Sequence, residues 1–131
     1  MYNKVILIGR LTSTPELHKT NNDKSVARAT IAVNRRYKDQ NGEREADFVN
    51  LVLWGKLAET MASYASKGSL ISLDGEIRTR RYEKNGVMQY VTEVLCQSFQ
   101  LLESRAQRAM RENGGTGDLA DIILEEEDLP F

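Results

Sequence analysis

Two Asn-Gly pairs, Asn41-Gly42 and Asn85-Gly86, constrain what this chain can fold into more than any other feature. Asn and Gly both accept the left-handed backbone of tight reversals, and such a pair between alternating apolar stretches marks a β-hairpin. Before the first pair, Ser25 to Arg36 puts Ala27, Ala29, Ile31 and Val33 on one face, with Arg28, Thr30, Asn34 and Arg36 on the other. After the polar run Tyr37 to Arg44 comes Asp47-Phe48-Val49-Asn50-Leu51-Val52-Leu53-Trp54, rich in β-branched, aliphatic and aromatic residues. Around the second pair, Ser69 to Tyr82 runs in and Met88 to Leu102 runs out. Two long antiparallel hairpins are therefore expected.

The remaining segments fit around them. Lys4 to Leu11 is a strand with apolar residues on both faces, so it should be largely covered. Thr12 to Lys24 reads as a loop, with Pro15 and then the turn formers Thr20-Asn21-Asn22-Asp23. Lys56 to Ser66 changes to helical spacing, with Leu57, Met61, Tyr64 and Ala65 on one side and Gly68 past the last turn. In the fourth strand Ile71, Leu73 and Ile77 face inward around Gly75, and a glycine inside a strand marks a bend or bulge. Ser104 to Arg111 extends as a brief helix, which Gly114-Gly115-Thr116-Gly117 breaks. The order β-β-β-α-β-β suits a small five-stranded barrel of the oligonucleotide-binding type, all-β with one short helix. A five-stranded sheet with a helix on one side competes. The two hairpins, Gly9 and Gly75 favour the barrel.

A chain of 131 residues suits one domain. It has neither the pattern of a secretion signal nor an apolar run near the roughly 20 residues that span a bilayer, so a soluble, cytoplasmic protein is expected. Cys96 is the single cysteine, which excludes an intrachain disulfide; in its apolar strand it reads as a small core residue. The net charge of −1 conceals a sharp division. Residues 1–111 hold all 18 Lys and Arg against twelve acids, while Glu112 onward holds seven acids and no base. A body near +6 with a tail of −7 points to a polyanion-binding body with an acidic appendage. Such a tail would compete weakly for the basic groove when the polyanion is absent.

Catalytic signatures are missing: no P-loop, dinucleotide fingerprint, nucleophile elbow or His-Glu-x-x-His motif occurs, and His18, the single histidine, sits in a polar loop. No enzymatic activity and no metal site are expected. What the chain offers instead is aromatics beside cations. Phe48 and Trp54 share a strand face, roughly 20 Å apart at about 3.3 Å per residue. Tyr37 is flanked by Arg35, Arg36 and Lys38, Phe48 lies across that hairpin's tip from Arg44, Trp54 precedes Lys56, and Tyr82 follows Arg78, Arg80 and Arg81. Unpaired bases stack on aromatic rings largely regardless of identity, and cations between the rings take the phosphates. Any one such ring is more often structural. Four with adjacent cations describe a single-strand groove.

At this point the chain resembles the bacterial single-stranded DNA-binding protein family. The carrying residues are Asn3 to Leu11 with Pro15-Glu16, Phe48 to Glu59, Tyr64 through Lys67-Gly68-Ser69, and Asp74 to Tyr82. The resemblance covers residues 1–103, and Asp128-Leu129-Pro130-Phe131 matches the family's acidic tail ending. It implies stacking of bases on Tyr37, Phe48, Trp54 and Tyr82, the same rings that charge context and strand parity single out. Lys4, Arg10, Arg35, Arg36, Lys38, Lys56, Arg78, Arg80 and Arg81 are the phosphate candidates. It also implies a homotetramer of oligonucleotide-binding barrels without a cofactor, and a terminal tip that recruits replication, recombination and repair proteins. The expected division is a DNA-binding domain at 1–104, a linker at 105–124 and the interaction tip at 125–131.

Two departures stand out. Tyrosine or phenylalanine occupies positions 37, 48 and 82, where family members often carry tryptophan. The linker is short and not Gln/Pro-rich, and Leu119, Ala120, Ile122, Ile123 and Leu124 precede the acids, which suits a short helix or docking segment. The compact form resembles the secondary, short paralogues that some Gram-positive bacteria keep for DNA uptake and transformation. The alternative function is a protein-interaction adaptor of a primosome, with DNA contact secondary.

Overall fold

The first Asn-Gly hairpin joins β3 (Ser25–Lys38) to β4 (Arg44–Trp54) with the register Val26↔Trp54 through Asn34↔Ala46. This is a computed structural model, and it describes residues 1–112. The other elements are β1 (Val5–Leu11), β2 (Glu16–Lys19), α1 (Gly55–Tyr64), β5 (Leu70–Lys84), β6 (Val87–Leu101) and α2 (Arg105–Glu112). The second hairpin turns on Asn85 (φ 54°) and Gly86 (φ 79°), the two consecutive left-handed residues of a tight reversal. The first turn is wider: Asp39 N–H donates to Glu43 O, and Asp39 Oδ1 accepts from Asn41 N and Glu43 N. There only Gly42 is left-handed (φ 78°).

The hairpins close into a barrel. Strand order is β1-β5-β6-β4-β3, and β1 pairs back onto β3 at Arg10↔Ala32 and Leu11↔Ile31. The β4–β6 seam is a short parallel pairing, Leu51↔Val94 and Val52↔Leu95. This is the five-stranded oligonucleotide-binding type of barrel, and the sheet-plus-helix alternative falls to the β1–β3 closure. Both glycines that signalled curvature sit where backbones approach too closely for a side chain. A Cβ on Gly9 would lie 2.2 Å from Ala32 O, and one on Gly75 would lie 2.2 Å from Leu95 O. The ladder shifts register between Asp74 and Gly75, the bulge that bends β5 and β6 around the barrel.

The core collects one face of every long strand: Leu11, Ala27, Ala29, Ile31, Leu51, Leu53, Ile71, Leu73, Val94 and Cys96. Helix α1 closes one end with Ala58 and Met61, followed by Ala65. Burial of the Cys96 thiol, and secondarily the nearby Asp74 carboxylate, push its pKa up to about 11.

Five sequence expectations need correction. The stretch read as a loop contains β2, which pairs with β3 from Glu16↔Arg28 to Lys19↔Ser25. All four of its residues are exposed, so no alternation of polarity marks it. In β1, Ile6 is exposed because its side of the strand is the outside of the barrel. Ile77 has inward parity but is exposed, since the β5–β6 hairpin runs on past the barrel's end. Tyr64 is exposed too, because Ala58, Met61 and Ala65 form the buried stripe instead. Gly68 does not cap the helix, which ends at Tyr64; its left-handed backbone (φ 88°) serves the link to β1, where its N–H bonds Leu11 O.

Candidate nucleic-acid interface

Strand parity puts Phe48, Asn50, Val52 and Trp54 on the outside of the barrel, away from the buried Leu51 and Leu53. Across the β3–β4 hairpin, Phe48 stands opposite Ala32 and Trp54 opposite Val26. Small neighbours leave the rings uncovered, at 68% and 46% exposure. Between them Asn50 accepts a hydrogen bond from Thr30 Oγ1 at 3.1 Å. Val52 is buried although its parity is outward, because it lies between Arg28 on β3 and Leu95 on β6 in a seam of three strands.

The outer face continues onto β5 and β6. Arg78, Arg80 and Tyr82 share it, with Glu93 as the cross-strand partner of Arg78. Arg80 places its guanidinium 5.8 Å from the Tyr82 ring centroid, a cation–π contact that leaves the tyrosine 42% exposed. Arg78 bonds Glu76 Oε1. Glu93, only 7% exposed, accepts from Arg80 Nε at 3.1 Å and from Arg28 Nη1 at 3.3 Å. Tyr37 is 83% exposed at the far end of β3, beyond the register break between Asn34 and Lys38, with Arg36 and Lys38 exposed beside it.

The structure separates the remaining cations. Arg81 pairs in register with Tyr90, on the opposite face of the β5–β6 hairpin from Arg80 and Tyr82. Arg35 bonds both Asp47 and Glu45 on the strand face opposite Phe48. The Asp47 partner, by hydrogen bond first, holds Arg35 above its ordinary pKa and is itself held below the usual carboxylate range. Lys4 reaches Asp74 Oδ2 at 2.5 Å, and that hydrogen bond raises its pKa. Arg10 is partly buried: its Nη1 donates to Gly68 O at 2.8 Å and lies 3.7 Å from Glu103.

Three cations that sequence reasoning passed over face the same region. Lys19 and Lys24 join Lys56 around a depression of about 410 Å³ beside Trp54, with Asp23, Ser25 and Glu59. Arg28 lines a second depression of about 290 Å³ with Thr30, Asn50, Arg80 and Glu93. Lys19 and Lys24 were hidden by the unrecognised β2 hairpin. Arg28 was visible by parity, on the face of Thr30 and Asn34, but has no aromatic neighbour in sequence. Among the described residues no cluster of three His, Cys, Asp or Glu could hold a metal, and no helix is long and apolar enough to cross a membrane. Asp128 to Phe131, the apolar run Leu119 to Leu124 and the Gly114–Gly117 break lie outside the described residues.

Comparison with known proteins agrees with the architecture. Residues 2–102 match the model of the single-strand binding protein family. The chain is 72% identical over its full length, and the full length of the relative, to single-stranded DNA-binding protein 2 of Streptococcus agalactiae serotype V. Identity is 71%, again over both full lengths, to single-stranded DNA-binding protein 1 of Streptococcus pyogenes serotype M6. A longer relative, the single-stranded DNA-binding protein of Lactiplantibacillus plantarum, is 54% identical over 90% of this chain and 60% of its own. The short form is therefore shared with streptococcal relatives of equal length. The chain belongs to the single-strand binding protein family.

Proposed function

We propose that this protein binds and protects single-stranded DNA irrespective of sequence, by stacking bases on its outer face and pairing phosphates with the cations around them. The observation that carries the reading is the pair Phe48 and Trp54: large rings, exposed, on one face of a strand whose other face is the core. A soluble domain seldom leaves such a surface open without a ligand. Tyr82 and Tyr37 extend the platform. Arg36, Lys38, Lys56, Arg78 and Arg80 supply phosphate contacts; Lys4, Arg10, Arg35 and Arg81 are tied to the fold or turned to another face.

Tyr2 and Ile6 leave apolar surface uncovered on a single chain, which supports assembly with further copies into the family's homotetramer. The Asp128-Leu129-Pro130-Phe131 tip carries acids, a compact apolar plug and a carboxylate, suited to a pocket rimmed by Arg or Lys on replication, recombination, repair or transformation proteins. The protein works by binding alone, without catalysis. Anisotropy of dye-labelled oligo-dT, compared with a duplex of equal length at low salt, tests the reading. Strong preference for the single strand is expected. Equal affinity for both would instead favour a protein-interaction adaptor.

A further inference from the structure

We propose that Arg28 and Arg80, held on the buried carboxylate of Glu93, form a backbone-phosphate subsite between the ring platforms, with Glu93 as its positioning residue. The inference rests on the reading of this face as the path of single-stranded DNA.

Glu93 is nearly buried, and a buried carboxylate is costly unless paired. It is paired twice, by guanidiniums from different strands: Arg28 on β3 and Arg80 on β5. Arg28, Glu93 and Arg80 together carry one net positive charge, which Glu16, the cross-strand neighbour of Arg28 on β2, offsets at the rim. Each guanidinium has five N–H donors and directs only part of them at Glu93. Both arginine side chains are about half exposed, at 50% and 47%, so donors remain on the solvent side. They open into the depression that Thr30 and Asn50 also line, with Glu16 as a further carboxylate.

The position is what gives the cluster a role. Arg28 stands opposite Val52, between the levels of Phe48 and Trp54. A strand whose bases stack on those rings must carry its backbone past this point. The line Arg28–Glu93–Arg80 then leads to Tyr82, under the Arg80 guanidinium. It links the outer face of the β3–β4 hairpin to that of the β5–β6 hairpin. Guanidiniums fixed before DNA arrives need no ordering on binding, and their planar forks match phosphate oxygens.

Glu93→Gln tests this with opposed signs. On charge alone, removing an acid from the groove adds positive charge, so binding of oligo-dT by the full chain should tighten and its salt dependence steepen. Positioning predicts the reverse: affinity about tenfold weaker, because both side chains must then be ordered by the DNA. Arg28→Gln should make the slope of log K against log salt shallower by about 0.7, the value for one lost phosphate on a single strand. In an Arg28→Gln/Arg80→Gln background, Glu93→Gln should add little further loss. Tightening by Glu93→Gln, an unchanged slope for Arg28→Gln, or an equal cost in both backgrounds would overturn the proposal. Should Glu93→Gln fail to fold, the slopes of the two half-exposed arginine variants decide. Wild-type chain that ignores oligo-dT would sink the wider reading instead, a distinct outcome.

Discussion

Phe48 and Trp54 are available to a ligand because of what stands beside them. Their cross-strand partners, Ala32 and Val26, are too small to cover a ring, while Leu51 and Leu53 between them anchor the strand in the core. Truncating either ring therefore costs binding and little else: Trp54→Ala and Phe48→Ala should each weaken oligo-dT affinity by about 1–3 kcal/mol in a titration, with thermal stability nearly unchanged. Arg10 is the contrary case. Its bond to Gly68 O and its approach to Glu103 tie β1 to the link after α1 and to the end of β6. Arg10→Ala should lower stability by about 1–3 kcal/mol and leave the salt slope unchanged. Cys96, with its pKa raised to about 11, should resist thiol reagents at pH 8 in the native state and react on unfolding. At this scale parity in β4 made Phe48 and Trp54 legible. Parity could not show which cations carboxylates already hold, because Arg35–Asp47 and Arg10–Glu103 join positions on different strands or distant in sequence.

Strands and turns were the most legible level. The Asn-Gly signals located both hairpins, since the backbone requirement they reflect is local. Gly75 pointed to the β5 bend for a reason the sequence could only hint at: the Leu95 carbonyl occupies the space of its missing side chain. Gly75→Ala should force the β5–β6 ladder apart and destabilise the fold by about 1–3 kcal/mol or more, measured by denaturant unfolding. What escaped the sequence was structure without a polarity pattern. Strand β2 is exposed along its whole length and exists by pairing with the β3 edge, so the turn formers around it dominated its reading. Ile77 and Ile6 misled for the related reason that alternation reports a strand's two faces but not where the barrel stops or which wall is outside.

For the whole molecule, the decisive quantity is the distribution of charge. Every base lies in residues 1–111, and seven acids follow without one. Deleting residues 112–131 should tighten DNA binding most at low salt, where a tethered polyanion competes best, and the difference should shrink as salt rises. The barrel's topology was readable because β-β-β-α-β-β with two hairpins admits few closures; the β1–β3 pairing that seals it rests on two residue pairs and has no signature in sequence. Assembly belongs to this scale too, and light scattering with oligo-dT of graded length would count subunits and the nucleotides they cover. The central claim, that bases stack on the outer face of β4, is met most directly by the emission of Trp54, the chain's single tryptophan. Titration with oligo-dT should quench it to a saturating plateau, with a midpoint that moves to higher DNA concentration as salt increases. Emission unchanged at saturating oligo-dT would contradict the account.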